Sequence, residues 1–350
     1  MGSDGTADVR SDPMRLSIEG GDSIVRAPIP PERVTLAIEG WNAQDLDSRD
    51  VFERSLGSIL DQSYHVHDCQ ILVLLDAAAS EEAAAWVRQR LPTAEILRIE
   101  GATYYRAKNR AMQAATGDVL VFADSDVRYT PDWLEHMLRC VGAGHDVVVG
   151  NTQYENGPLS RTLNLCDWAG TRIGSGPTDW IYGNNLAMAR TFFKKIRFRS
   201  DMGTSGGGAA NVVRDELSKS GMRPWFCESA QGWHHLAPFW PKRLRIGAYR
   251  IMTRRWAPGL EWSWLARVPL LSPFLVTGAT AIRAWGRAWR LRTSLPGKGL
   301  TLPLYLGSIA VIKSVELLGA LLIVFAPSTL ESRYGWFDVP AISGAEAPPA

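Results

Sequence analysis

Over the first 150 residues, short apolar runs alternate with stretches whose apolar positions recur every three or four residues. Residues 33–38 (RVTLAI), 70–75 (QILVLL), 96–99 and 119–123 (VLVFA) are short and largely apolar, a pattern that suits strands covered on both faces. Between them, residues 50–61 set Phe52, Leu56, Ile59 and Leu60 at helical spacing, and residues 80–91 do the same with Ala83, Ala84, Val87 and Leu91. A third helix over 104–115 is stopped by Thr116-Gly117-Asp118. Strand and helix in this rhythm predict an α/β domain, a mostly parallel sheet with helices on both faces. A helix over 132–141 and a strand over 146–150 continue it, and residues 160–235 are mixed and glycine-rich, with a helix over 210–220.

Beyond residue 240 the pattern changes. Residues 241–256 are basic and aromatic, with Lys242, Arg243, Arg245, Arg250, Arg254, Arg255 and Trp256. The apolar stretch 268–282 is interrupted by Pro269 and Pro273 and reads as interfacial or re-entrant; a second basic cluster, Arg283, Arg287, Arg290 and Arg292, follows it. Residues 302–326 exceed the ~20 apolar residues that cross a bilayer. Lys313 and Glu316 sit near the middle, where each charge costs roughly 2.5–3.5 kcal/mol unless the two pair at i,i+3. Basic clusters beside apolar segments suit anionic headgroups, which predicts a membrane-associated helical region on the cytoplasmic face. The expected organisation is a flexible segment 1–32, an α/β domain 33–240, a basic, aromatic and hydrophobic helical region 241–335 that meets the membrane surface through 241–326, and a flexible tail 336–350.

Composition narrows the classes. With 38 basic and 36 acidic residues the formal charge is +2, which gives no basic footprint for a nucleic acid. The cysteines, Cys69, Cys140, Cys166 and Cys227, are scattered without a C-x-x-C pair, so neither a disulfide framework nor a zinc site is expected and a reducing compartment is. The opening MGSDGTADVR has no apolar core, so no cleaved signal peptide is expected. Most of the 14 tryptophans lie beyond position 160; tryptophan serves sugar-binding clefts and membrane interfaces as well as ordinary packing.

The sharpest chemical feature is Asp124-Ser125-Asp126, delivered by the apolar strand 119–123. Two carboxylates one residue apart can approach one hard cation, which in turn bridges phosphate oxygens. Carboxyl ends of parallel strands are also where open α/β sheets bind ligands. Several further motifs follow in order: the turn Glu39-Gly40-Trp41-Asn42, Gln62-Ser63-Tyr64, Asp76 after the second strand, and Arg106-Ala107-Lys108-Asn109-Arg110-Ala111. Then come Ala114 through Asp126, Pro131 with Trp133, and Gly183-Asn184-Asn185-Leu186-Ala187-Met188-Ala189-Arg190. In this order and spacing, residues 33–240 resemble the family-2 glycosyltransferases of the GT-A, Rossmann-like fold.

That resemblance implies inverting transfer of a sugar from a nucleotide-diphospho-sugar to a hydroxyl acceptor, and the apolar tail points to a lipid-linked or cell-envelope glycan as that acceptor. It implies donor binding by Glu39, Asn42, Asp76, Arg106, Asn109, Asp124 and Ser125, and an acceptor side formed by Trp180, Gly183, Asn184 and Asn185. Mn²⁺ or Mg²⁺ would sit on Asp124, Asp126 and His234, which stands at the family's histidine position. The chain also departs from the pattern. Glu39 replaces a proline, Ala77-Ala78-Ala79 replaces a glycine-serine turn, and Ala209-Ala210 stand where the general base belongs. Asp215 and Glu216, further along the same predicted helix, are the candidates to replace it if the helix register shifts, and read otherwise as surface acids of an amphipathic helix. Two alternatives stay open: a family homologue that binds a nucleotide sugar or a partner with little catalysis, and a haloacid-dehalogenase-type phosphatase, whose first motif resembles Asp124 to Val127.

Overall fold

The computed structural model describes residues 29–40, 49–101, 104–155, 159–167, 174–178, 181–198, 213, 217, 221–235, 239–256, 262–268, 270–293 and 301–334. Among the described residues nine strands form one sheet: β1 (Val34–Glu39), β2 (Gln70–Asp76), β3 (Glu95–Ile99), β4 (Val119–Ala123), β5 (Val127–Tyr129), β6 (Val147–Tyr154), β7 (Gly176–Pro177), β8 (Asn185–Ala189) and β9 (Trp225–His234). The helices are α1 (Arg49–Leu60), α2 (Glu81–Arg90), α3 (Tyr104–Ala114), α4 (Trp133–Gly142), α5 (Ser160–Asp167), α6 (Arg190–Phe193), α7 (Phe239–Trp256), α8 (Ser272–Arg290), α9 (Thr301–Phe325) and α10 (Pro327–Tyr334).

The strand order is β3-β2-β1-β4-β8-β6-β9-β5, with β7 added on β9. The four strands of the first half pair in parallel, each linked by a helix. Beyond β4 the sheet is mixed: β8 runs antiparallel to both β4 and β6, and β9 is parallel to β6 but antiparallel to β5. The parallel half was legible because its central strands are buried on both faces. Alternate residues of β1 and β4 serve opposite layers. Leu36 and Val121 pack with Phe52, Leu56, Ala84 and Val87 from α1 and α2. Ala37, Leu120 and Phe122 pack with Ala107, Ala111 and Met112 from α3.

The C-terminal helices dock on this domain rather than standing apart from it. Leu163 and Leu165 of α5 share a buried cluster with Ala284 and Ala288 of α8 and Ile309 and Ile312 of α9. Helices α7 and α9 cross at two glycines. A Cβ on Gly247 would overlap the carbonyl oxygen of Glu316, and one on Gly319 would overlap that of Leu244, so the backbones meet where only hydrogen fits.

Two expectations for this region change. Pro273 does not break the apolar stretch; it lies in the first turn of α8, where a missing N–H costs nothing, and one continuous helix carries Arg283, Arg287 and Arg290 as well. Nor do all the basic residues of 241–256 face outward. Arg243 is 1% exposed, with its guanidinium 2.5 and 3.0 Å from the two carboxylate oxygens of Asp167 and 3.2 Å from Glu316. Arg250 reaches the same two carboxylates. Lys313 and Glu316 do pair, at 2.8 Å, inside this network.

Candidate active site

The carboxyl ends of β1 and β4 lie side by side, because Ile38 is in register with Ala123. The next residues on each, Glu39 and Asp124-Ser125-Asp126, therefore meet at one edge of the sheet, with Asp76 ending β2 beyond Glu39. Glu39 is buried and its Oε2 accepts the Ser125 hydroxyl at 2.8 Å. The Ser55 hydroxyl donates to the carbonyls of Asp124 (2.9 Å) and Val127 (2.7 Å), closing the turn between β4 and β5.

The two aspartates of this turn point into different surroundings. Asp124 is buried, its Oδ1 2.9 Å from the Lys108 ammonium and its Oδ2 accepting the Tyr104 hydroxyl at 2.6 Å. Tyr104 and Lys108 are one helical turn apart on α3, so both reach the same carboxylate. The ammonium also lies over the Tyr104 and Phe122 rings, 4.3 and 4.8 Å from their centroids. Gly183 makes room here: a Cβ would stand 3.0 Å from the Tyr104 hydroxyl and 3.1 Å from Lys108 Cε. On the other side, the Asp124 N–H donates to the Tyr129 hydroxyl (3.0 Å), which donates to the Asn184 carbonyl (2.7 Å). Burial, with Asp124 adding to it, pushes both tyrosine hydroxyls well above their ordinary range, so they stay protonated donors.

Asp126 instead faces β9. Val127 of β5 is in antiparallel register with His234, and the His235 N–H donates to the Asp126 carbonyl at 2.7 Å. This brings Asp126 Oδ2 to 3.4 Å from His234 Nε2. His234 Nδ1 is 2.6 Å from the His235 carbonyl, which can only accept, so Nδ1 carries a proton. Burial lowers the His234 pKa, with Asp126 opposing it, so the ring is neutral and Nε2 presents its lone pair. Lys242, in the first turn of α7, brings Nζ to 3.5 Å from the same Nε2. Burial holds its ammonium below the usual lysine range, at about 8, while Asp126 pulls it up.

Asp126 Oδ2 and His234 Nε2, 3.4 Å apart, are two acceptors turned to one corner, with the Lys242 ammonium 3.5 Å from Nε2, and both are donor atoms that a metal cation also takes. The pair fits a divalent ion whose other positions are filled by ligand oxygens and water. Asp124 does not join them. Among the described residues no three His, Cys, Asp or Glu side chains come together closely enough to hold an ion.

Residues 46–202 match the family profile described as glycosyl transferase family 2. The chain carries a family-2 glycosyltransferase domain. Among solved structures, it is similar to the mannosyltransferase PcManGT from Pyrobaculum calidifontis, in complex with GDP-Man and Mn²⁺. The identity is 18%, over 88% of this chain and 90% of that one, with a TM-score of 0.54, a likeness that places the fold with the GT-A glycosyltransferases. GalNAc-T7 with UDP, GalNAc and Mn²⁺ gives 11% identity over 69% of this chain and 54% of that one, with a TM-score of 0.48. S. aureus TarS 1–349 in complex with UDP-GlcNAc gives 11% over 83% and 91%, with a TM-score of 0.47. No curated protein matches the chain.

Within the glycosyltransferase domain the expected site residues divide. Glu39, Ser125, Asp124 and Asp126 gather at one edge, and Asp76 stands at the next strand end, its Oδ1 accepting the Ala78 N–H at 2.8 Å. Arg106 is exposed on α3. Asn109 turns away from this edge: its amide donates to and accepts from the backbone of Phe198 at 2.7 and 2.8 Å. Asn185 is fully buried, accepting Trp133 Nε1 at 2.8 Å and donating to the Ala230 carbonyl at 3.3 Å, a pin between α4 and β9. Asn184 and Gly183 do border the Asp124 cluster. Asn42, Trp180, Ala209, Ala210, Asp215 and Glu216 lie outside the described residues. Sequence reasoning passed over Tyr104, Tyr129 and Lys242 as site residues; Lys108, which with Arg106 reads from the sequence as cationic help to the diphosphate or as part of an exposed helix face, proves buried against Asp124. A lysine at the arginine position of the A-R-N-like motif was the available signal.

Proposed function

We propose that the domain transfers a sugar from a nucleotide-diphospho-sugar to a hydroxyl acceptor with inversion at the anomeric carbon. The observation that carries the proposal is the Asp126–His234 pair at the carboxyl end of the sheet, two acceptors 3.4 Å apart beside the strand ends that would take the donor. That PcManGT was solved with GDP-Man and Mn²⁺ supports a nucleotide-sugar donor and a divalent ion here as well. Asp126 and His234 would hold Mn²⁺ or Mg²⁺, and a bound ion would supply positive charge against the departing diphosphate. Lys108 has a different task. By neutralising Asp124 it leaves Asp126 as the carboxylate turned outward, and with Tyr104 and Tyr129 it fixes the turn that presents it. Glu39 orients Ser125, and Asp76 is the proposed nucleoside contact.

The acceptor proton needs a carboxylate, and Asp215 or Glu216 takes that part in this proposal. Ala209-Ala210 at the family's base position favour a second reading, a donor-binding protein with weak catalysis, because loss of a general base costs roughly 10²–10⁴ in rate. The test is nucleotide release from UDP-, GDP- and TDP-sugars with Mn²⁺ and detergent-extracted lipid acceptors, with the anomeric configuration of the product read by NMR. Turnover with inversion, lost in Asp215→Asn or Glu216→Gln, supports the enzyme. Retention of configuration contradicts it, and donor binding without turnover favours the second reading.

We further propose that the C-terminal helices lie on a membrane and bring the domain to a lipid-linked acceptor. Among the described residues, every exposed large apolar side chain except Leu159 and Met222 lies between Trp240 and Phe325. Leu304, Val311, Leu318 and Phe325, seven apart, run as one exposed stripe along α9. Residues Leu302–Phe325, of mean hydropathy 2.1, are long and apolar enough to cross a bilayer. Its middle, however, is held through Glu316 and Arg243 to Asp167 of α5 in the transferase domain. A crossing helix would drag that carboxylate into hydrocarbon, so the proposal is a helix lying along the surface with its charged face turned inward.

A further inference from the structure

The corner formed by Asp126 and His234 is closed on its third side by the C-terminal region. Helix α7 begins at Phe239, and its rotation is set by Arg243, whose guanidinium is clamped by Asp167 and Glu316. Adjacent helix positions point about 100° apart. With Arg243 fixed inward toward α5 and α9, Lys242 is therefore turned toward β9, its Nζ 3.5 Å from His234 Nε2 and 5.2 Å over the Tyr154 ring. The His234 tautomer makes this contact attractive, because Nδ1 donates to the His235 carbonyl and a lone pair faces the ammonium. The corner thus holds one carboxylate, one lone-pair nitrogen and one fixed cation. An incoming diphosphate that displaces the weak 3.5 Å contact finds the ammonium already in place.

Resting on the donor site proposed above, we propose that Lys242 is a ligand of the donor diphosphate. Part of the positive charge at this corner then comes from the C-terminal helical region, independently of any divalent ion. The residue lies outside the 46–202 match, so the transferase domain is completed by the helix that follows it. Arg243 is the positioning residue: it touches no donor, but its clamp sets the direction of Lys242.

The test is calorimetric titration of the full chain and of Lys242→Met and Lys242→Arg with UDP, GDP and TDP, each in Mn²⁺ and in EDTA. Losing one charge-assisted contact predicts that Lys242→Met weakens the diphosphate that binds by roughly 10–100-fold in EDTA and by less in Mn²⁺. Lys242→Arg restores most of the affinity. Thermal unfolding of the variants at the wild-type temperature separates this from a folding defect. Equal affinities of wild type and Lys242→Met in both conditions overturn the inference while leaving the donor site standing. A wild type that binds none of the three in either condition removes the donor site, and the inference with it.

Discussion

The chemistry of the site turns on how one tripeptide distributes its charges. In Asp124-Ser125-Asp126 the first carboxylate is absorbed by Lys108 and Tyr104, the hydroxyl by Glu39, and the second carboxylate is left facing His234. The Lys108–Asp124 pair is buried at both ends, so removing one partner strands a charge. Lys108→Met is therefore expected to lower unfolding free energy by about 3–5 kcal/mol in urea melts. The double variant Lys108→Met/Asp124→Asn should cost less than the sum of its singles. Additive effects would mean that the two side chains do not depend on each other. Asp124 and Asp126 were both visible in the sequence as candidate ligands. What the sequence could not show is their divergence, because the partners that separate them come from α3 and β9, distant in the chain and brought in by the sheet.

At the scale of elements, one buried charge network ties the C-terminal helices to α5 of the transferase domain, and a glycine crossing ties α7 to α9. Burial alone would raise the Asp167 pKa, but Arg243, with Arg250 behind it, lowers it well below the usual carboxylate range. A carboxylate whose folded pKa is depressed adds stability that is fully present above its unfolded value of about 3.9 and is lost as pH falls through the lower, folded value. Urea melts should show no contribution to pH dependence from this group between about pH 7 and 5, and a decline below about 4. Asp167→Asn should be less stable at neutral pH and lose that part of the acid limb; an unchanged acid limb would contradict the network. Gly247→Ala or Gly319→Ala forces apart backbones that touch, which predicts a loss of about 1–3 kcal/mol read as a lower melting temperature. Helix α9 was legible from its apolar run, whereas the continuity of α8 through Pro273 was not. The inward charges of this region were not legible either, since a basic run on a helix looks the same whether its partners are headgroups or a buried carboxylate. Arg243 and Arg250, seven apart, carry that ambiguity.

For the molecule as a whole, the parallel half of the sheet followed from strands apolar on both faces. The mixed half did not, because β8 and β9 are joined to their neighbours across a glycine-rich stretch without clear periodicity. The proposed membrane face predicts that the full chain co-sediments with vesicles containing anionic lipid. Val311→Glu with Leu318→Glu, both on the exposed stripe, should reduce co-sedimentation several-fold without altering nucleotide affinity. Undiminished sedimentation of that variant would move the contact elsewhere.

Everything proposed for this site depends on Asp126 and His234 forming the cation corner of a donor site. The most direct measurement is calorimetric titration of wild type and Asp126→Ala with UDP, GDP and TDP, first with Mn²⁺ and then with EDTA. One diphosphate is expected to bind wild type, and Mn²⁺ to strengthen it by at least about tenfold, ~1.4 kcal/mol. Asp126→Ala, folded as judged by its melt, is expected to lose that strengthening. Binding of no diphosphate, or a Mn²⁺ effect that survives in Asp126→Ala, would contradict that cation corner.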